Sequence, residues 1–174
     1  LSEGDNGVIV LDTTCFYAES GGQIGDKGVI SNDACVFNVE DTKKTQDSKF
    51  MHIGEVTNGQ ISVGEQVDVK IDAVSRKSIM RNHTAAHLLQ AALRQVLGTH
   101  VEQAGQLVSE NLVRFDFTHF SALTSQQLKQ VEDIVNDAIL EGLEVTMTEM
   151  PIQEAKNMGA MALFGEKYGD SVRV

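Results

Sequence analysis

Apolar positions change their spacing once along this chain, close to residue 74. Before that point short apolar runs alternate with polar residues at a period of two, the repeat of a strand with one buried face. Residues 8–11 form an apolar run, 34–39 and 50–53 are strand-like, and Val67, Val69 and Ile71 alternate with polar neighbours. Glycine punctuates these segments at Gly21-Gly22, Gly25, Gly28 and Asn58-Gly59, and residues 43–49 make a polar loop. About six short strands joined by such turns predict a small barrel or curled sheet.

Past residue 74 the period becomes helical. Ser75 reads as an N-cap and Gly98 as the stop after Leu97, with Ala85, Leu88, Leu89, Ala92 and Val96 as the stripe that faces a core. Residues 112–117 read as a strand. Thr124 and Gln127 have capping-box spacing and open a helix that runs through Ile139 to Gly142. Its stripe is Leu128, Val131, Val135 and Ala138. Residues 143–150 read as strand again, and Pro151 suits the first position of another short helix. The expectation is an α+β chain in two parts, 1–73 a glycine-rich β unit and 74–174 a mixed one. There is no internal repeat and no low-complexity stretch.

Composition narrows the function classes. The 174 residues suffice for one ordinary domain or two small ones, and an apolar fraction of 41% supports a core. No apolar run approaches the roughly 18 residues of a membrane span, so no membrane partner is expected. The opening LSEGDNGVIV is polar and then strand-like, unlike a secretory signal. Without an initiator Met, and with SVRV as its last alternation, the chain reads as a piece of a longer protein with a strand cut at its end. Cys15 and Cys35 are too few for a disulfide framework; the composition fits the cytoplasm, and both thiols read as small buried hydrophobes. A formal charge of −11 counts against a general nucleic-acid binder, which needs a basic patch. Arg76, Lys77, Arg81 and Arg94 do cluster along one helix, either as a solvated face or as an RNA contact.

His83 and His87, four apart on that helix, project from one face about a turn apart. Two imidazoles so placed reach one metal ion, and zinc suits them best. The residues between are Thr84, Ala85 and Ala86, so no Glu stands beside the first His as in a thermolysin-like protease. The alternative is a pair of structural or surface histidines. Both lie off the expected apolar stripe, which favours ligation. His52, His100 and His119 read as isolated, so by spacing alone the chain offers half a metal site.

Three ordered blocks then resemble one family. Phe16-Tyr17-Ala18-Glu19-Ser20-Gly21-Gly22-Gln23-Ile24-Gly25-Asp26 is similar to the glycine-rich motif of the alanyl-tRNA synthetase editing region. Arg81-Asn82-His83-Thr84-Ala85-Ala86-His87-Leu88-Leu89 resembles its metal-binding helix, and residues 159–170 resemble a third block. Free-standing AlaX-type deacylases share the first two blocks, while the third favours the synthetase, of bacterial type. The resemblance implies a glycine-rich β-barrel followed by the α+β domain shared by threonyl- and alanyl-tRNA synthetases. It implies hydrolysis of the ester joining serine or glycine to tRNA for alanine, a reaction needed because an alanine pocket cannot reject the smaller glycine sterically.

Carried over by position, the resemblance implies that His83 and His87 are zinc ligands and that Gln103 lies at the editing pocket. It implies that the Thr14 hydroxyl recognises serine, the alternative being a strand residue of β propensity. Gln103 sits in a polar connector, where the alternative is a solvated loop residue. Gly21, Gly22 and Arg81 are candidates for holding the tRNA acceptor end, although tight turns explain the glycines as well. The family completes its zinc site with a Cys-x-x-x-His segment downstream of the third block, which this chain lacks, so alone it is expected to bind zinc weakly or not at all and to be a poor deacylase. Glu102 and Asp116 are the carboxylates nearest by motif, with no general base assigned. ATP belongs to the aminoacylation domain, and the expected partners are the acceptor end of tRNA carrying serine or glycine and the rest of the synthetase. A free-standing deacylase and a non-catalytic tRNA-binding module are the competing readings.

Overall fold

A computed structural model describes residues 1–160 and 169–174. The chain is mixed α+β, with a large antiparallel sheet and three helices among the described residues. It divides into two compact units, Leu1–Leu123 and Thr124–Val174. Helix α1 begins at Ala73, and the division into compact units falls at Thr124.

In the first unit, β1 (Asn6–Ile9), β2 (Gly28–Asn32), β3 (Cys35–Lys44), β4 (Phe50–Gly59) and β5 (Asp68–Ile71) form one sheet. Its order is β1-β4-β3-β2-β5, all antiparallel. The expected barrel does not close: among the described residues β1 and β5 are edges that pair on one side only. Curvature comes instead from β3, where register shifts at Val36/Phe37 and Val39/Asp41 mark bulges. The second shift changes the phase of burial: Cys35, Phe37 and Val39 point inward before it and Thr42 after it.

The packed face holds Phe16, Ile30, Cys35, Phe37, Val39 and Val56, edged by Ile9, Val69 and Ile71. Each fully buried large side chain there stabilises the sheet by about 1.5–3 kcal/mol. Gly28 and Asn58-Gly59, expected in turns, lie within β2 and β4, because their neighbours pair in register. The polar loop between β3 and β4 is shorter than expected, since β3 runs on to Lys44.

Helix α1 (Ala73–Leu97) is capped by Asp72, not Ser75; the Asp72 carboxylate accepts from the Val74 and Ser75 amides at 3.0 Å each. Ser75 instead donates its hydroxyl to Glu110. Gly98 ends the helix as expected. The buried face is Ile79, Ala86, Gln90, Ala92 and Leu93, rotated from the expected stripe because α1 packs on the hairpin of β6 (Gln103–Val108) and β7 (Val113–Phe117). Strand β6 had no sequence expectation; its residues Gln103, Gly105 and Gln106 break the apolar alternation.

The second unit carries α2 (Ser125–Glu141), β8 (Glu149–Pro151), α3 (Ile152–Asn157) and β9 (Ser171–Arg173). Thr124 and Gln127 form the full capping box, and Gly142 closes α2 in a left-handed conformation. Of the expected α2 stripe only Val131 is buried. Residues 143–148 are not a strand, since only Glu149–Pro151 find a partner in β9. No helix among the described residues is long and apolar enough to cross a membrane. Most of the third family block, residues 161–168, lies outside the described residues.

Candidate functional site

The glycine-rich block folds into a turn that docks on two elements at once. Ser20 and Gln23 exchange backbone hydrogen bonds at 3.1 and 3.0 Å, so Gly21 and Gly22 are the two turn residues, both with positive φ. A Cβ on Gly22 would stand 2.5 Å from the Gln106 carbonyl oxygen, so that position needs glycine for conformation and for space. The Val108 amide then donates to the Gly22 carbonyl and the Ile24 amide to the Val108 carbonyl, while the Gln106 side-chain amide donates to the Gly21 carbonyl. Of the two readings of Gly21 and Gly22, the turn is the one visible here.

Asp26, at the end of the block, is 2% exposed. Arg76 of α1 clasps its carboxylate with two hydrogen bonds, Nε to Oδ1 at 2.8 Å and a second to Oδ2. The Tyr17 amide donates to the same carboxylate at 2.7 Å. Arg76 is thus neither a solvated face nor free for RNA, and its hydrogen bond to Asp26 raises its pKa further. Lys77 and Arg81 remain exposed, and Arg81 donates to the Ser78 hydroxyl.

This docking sets Gln23 against the helix. Gln23 is 7% exposed, and its Oε1 lies 2.7 Å from His83 Nδ1. An amide oxygen only accepts, so Nδ1 carries the proton and Nε2 keeps its lone pair. Burial first, and the neighbouring His87 second, push the His83 pKa down and favour neutral imidazole. The His83 and His87 rings stack with centroids 5.3 Å apart. His83 does lie on the packed side of α1, between Ile79 and Ala86, whereas His87 is exposed. Two imidazoles a helical turn apart, one of them anchored from behind by Gln23, fit zinc as half of a ligand set. Among the described residues no three His, Cys, Asp or Glu side chains come together to hold a metal.

Gln103 is not in a connector: it opens β6, opposite Phe117, and is half-buried. No hydrogen bond among the described residues joins it to His83, His87 or Thr14. Cys35 is buried, as expected, and burial raises its pKa; Cys15 is exposed, because its strand-free loop turns it outward. Glu102 and Asp116 are both exposed.

Three histidines are less isolated than their spacing suggests. His100 and His119 pair at 2.9 Å beside Phe120. His52, fully buried in β4, lies beneath Thr14: its Nε2 is 2.8 Å from Thr14 Oγ1 and its Nδ1 is 2.8 Å from the Ile9 carbonyl oxygen. Alternation in β4 would have put His52 inward with Gly54 and Val56, but nothing in the sequence ties it to Thr14. Gln23 and Asp26 were visible only as members of the glycine block.

The family model for tRNA synthetases class II (A) matches residues 1–75. An alanine–tRNA ligase of Acetivibrio thermocellus is 56% identical over 99% of this chain. One from Bacillus velezensis is 52% identical over 99%, and one from Methylobacillus flagellatus 51% over all of it. The chain spans about a fifth of the length of these relatives (20% in each case).

Proposed function

Because the chain belongs to the alanine–tRNA ligase family, which it matches along its whole length, we propose that it is the editing region of such a ligase. In this reading the intact protein hydrolyses the ester joining serine or glycine to the acceptor end of tRNA for alanine. The observation that carries the reading is the Gln23–His83 hydrogen bond, which joins the glycine-rich block to the histidine helix at one chemically competent nitrogen. Identity across 99% of the chain to proteins five times its length supports a segment of a synthetase over a free-standing deacylase.

His83 and His87 would hold zinc in this reading, Nε2 of His83 being left free because Gln23 occupies Nδ1. When bound, zinc supplies Lewis-acid polarisation of a water or of the ester. Thr14 contacts the seryl side chain, Gln103 lines the pocket, and Gly21, Gly22 and Arg81 face the tRNA end. The remaining ligands, the ATP-dependent chemistry and most phosphate contacts belong to other parts of the ligase, which suits a chain of charge −11. Residues 74–174 are assigned to the α+β fold shared with threonyl-tRNA synthetases.

The test uses the full-length ligase with Ser-tRNA and Gly-tRNA for alanine, before and after chelation. Hydrolysis should disappear with the metal and return with added zinc. A rate indifferent to chelation removes zinc from this reading, and no hydrolysis at any metal level supports a non-catalytic tRNA-binding module.

A further inference from the structure

The Thr14 hydroxyl is surrounded by partners of fixed polarity. The Ile9 carbonyl only accepts, so His52 Nδ1, 2.8 Å away, must carry a proton. His52 is 0% exposed, and burial depresses its pKa, so the ring is neutral and Nε2 is a bare acceptor. Across 2.8 Å, Thr14 must therefore donate its proton to Nε2. The Phe16 amide donates to Thr14 Oγ1 at 3.1 Å, using one of its two lone pairs. Phe16 also packs edge-on against the imidazole, centroids 5.0 Å apart, which keeps the ring from turning. What Thr14, only half-buried, has left to offer is one lone pair.

We propose that His52 is a positioning residue that turns Thr14 into a pure hydrogen-bond acceptor, so that the site selects a substrate side chain able to donate. The inference rests on the reading that Thr14 meets the aminoacyl group. A seryl hydroxyl donates to the free lone pair; glycine has nothing to place there, and a side-chain ether oxygen meets lone pair with lone pair. Selection for serine thus depends on a buried imidazole that never touches the substrate.

Two variants separate the roles of the two ring nitrogens. His52→Asn keeps an amide N–H to reach the Ile9 carbonyl but falls short of Thr14. His52→Gln reaches toward Thr14. In the full-length ligase, His52→Asn should lower kcat/KM for Ser-tRNA about tenfold, the worth of one ordinary hydrogen bond, and leave Gly-tRNA nearly unchanged. His52→Gln should recover part of the loss, and wild type should reject an O-methylseryl ester that His52→Asn tolerates better. An equal fall for serine and glycine would reduce His52 to a structural residue and overturn the proposal. The imidazole state is read independently by 15N-histidine NMR of this chain: protonated Nδ1 and bare Nε2 on His52, with Nε2 shifting in Thr14→Val, are expected. A proton on Nε2 overturns the proposal whether or not the ligase edits. Absence of both hydrolyses in wild type, with the expected tautomer present, faults the editing reading alone.

Discussion

Buried polar residues decide more in this chain than their number suggests. Asp26 is enclosed by Arg76 and the Tyr17 amide, and losing it would leave a guanidinium without its partner at the root of α1. Asp26→Ala should cost about 3–5 kcal/mol in denaturant unfolding, the usual penalty for breaking a buried pair from one side. A loss below about 1 kcal/mol, the level of an exposed pair, would show the contact to be incidental. His52 adds a pH signature. The folded state holds it neutral with a depressed pKa, so the unfolded chain takes up the proton first as pH falls. The stability it provides is complete above the ordinary histidine pKa of about 6.5 and is lost as pH drops toward the depressed value. His52→Asn should flatten the fall in stability between about pH 7.5 and pH 5, against a wild type that carries the full slope.

At the scale of elements, legibility followed local chemistry. The α2 capping box was readable because Thr124 and Gln127 act within one turn. Thr124→Ala should cost about 1 kcal/mol in the thermal or urea unfolding of this chain, and no change would mean that α2 is held by other contacts. Asp72 and Ser75 are both good caps by type, so the sequence alone does not choose the α1 cap; Asp72's amide bond to the Lys27 carbonyl and Glu110's claim on Ser75 do. The α1 stripe is ambiguous in the sequence for a related reason. Ala85, Leu88 and Leu89 form as apolar a row as Ile79, Ala86 and Leu93, and β6, which the sequence hid behind glutamines, chose between them. Closure into a barrel likewise depends on edges meeting, which no strand pattern states.

For the whole molecule, the candidate site was half legible. The histidine pair and the glycine block each stood out in the sequence, but their meeting through Gln23 is a tertiary fact, as is the pairing of Thr14 with His52. Both contacts span more than thirty residues, 60 and 38 apart respectively. The chain holds a stacked histidine pair with one ring anchored by Gln23, and a threonine paired with a buried imidazole, within a segment about a fifth as long as its relatives. The most direct measurement is the rate of Ser-tRNA hydrolysis by the full-length ligase beside its His83→Ala variant, with alanine attachment followed as the control for folding. The variant should attach alanine normally and hydrolyse Ser-tRNA no faster than the uncatalysed ester; equal hydrolysis by the two proteins would contradict a reaction centred on His83.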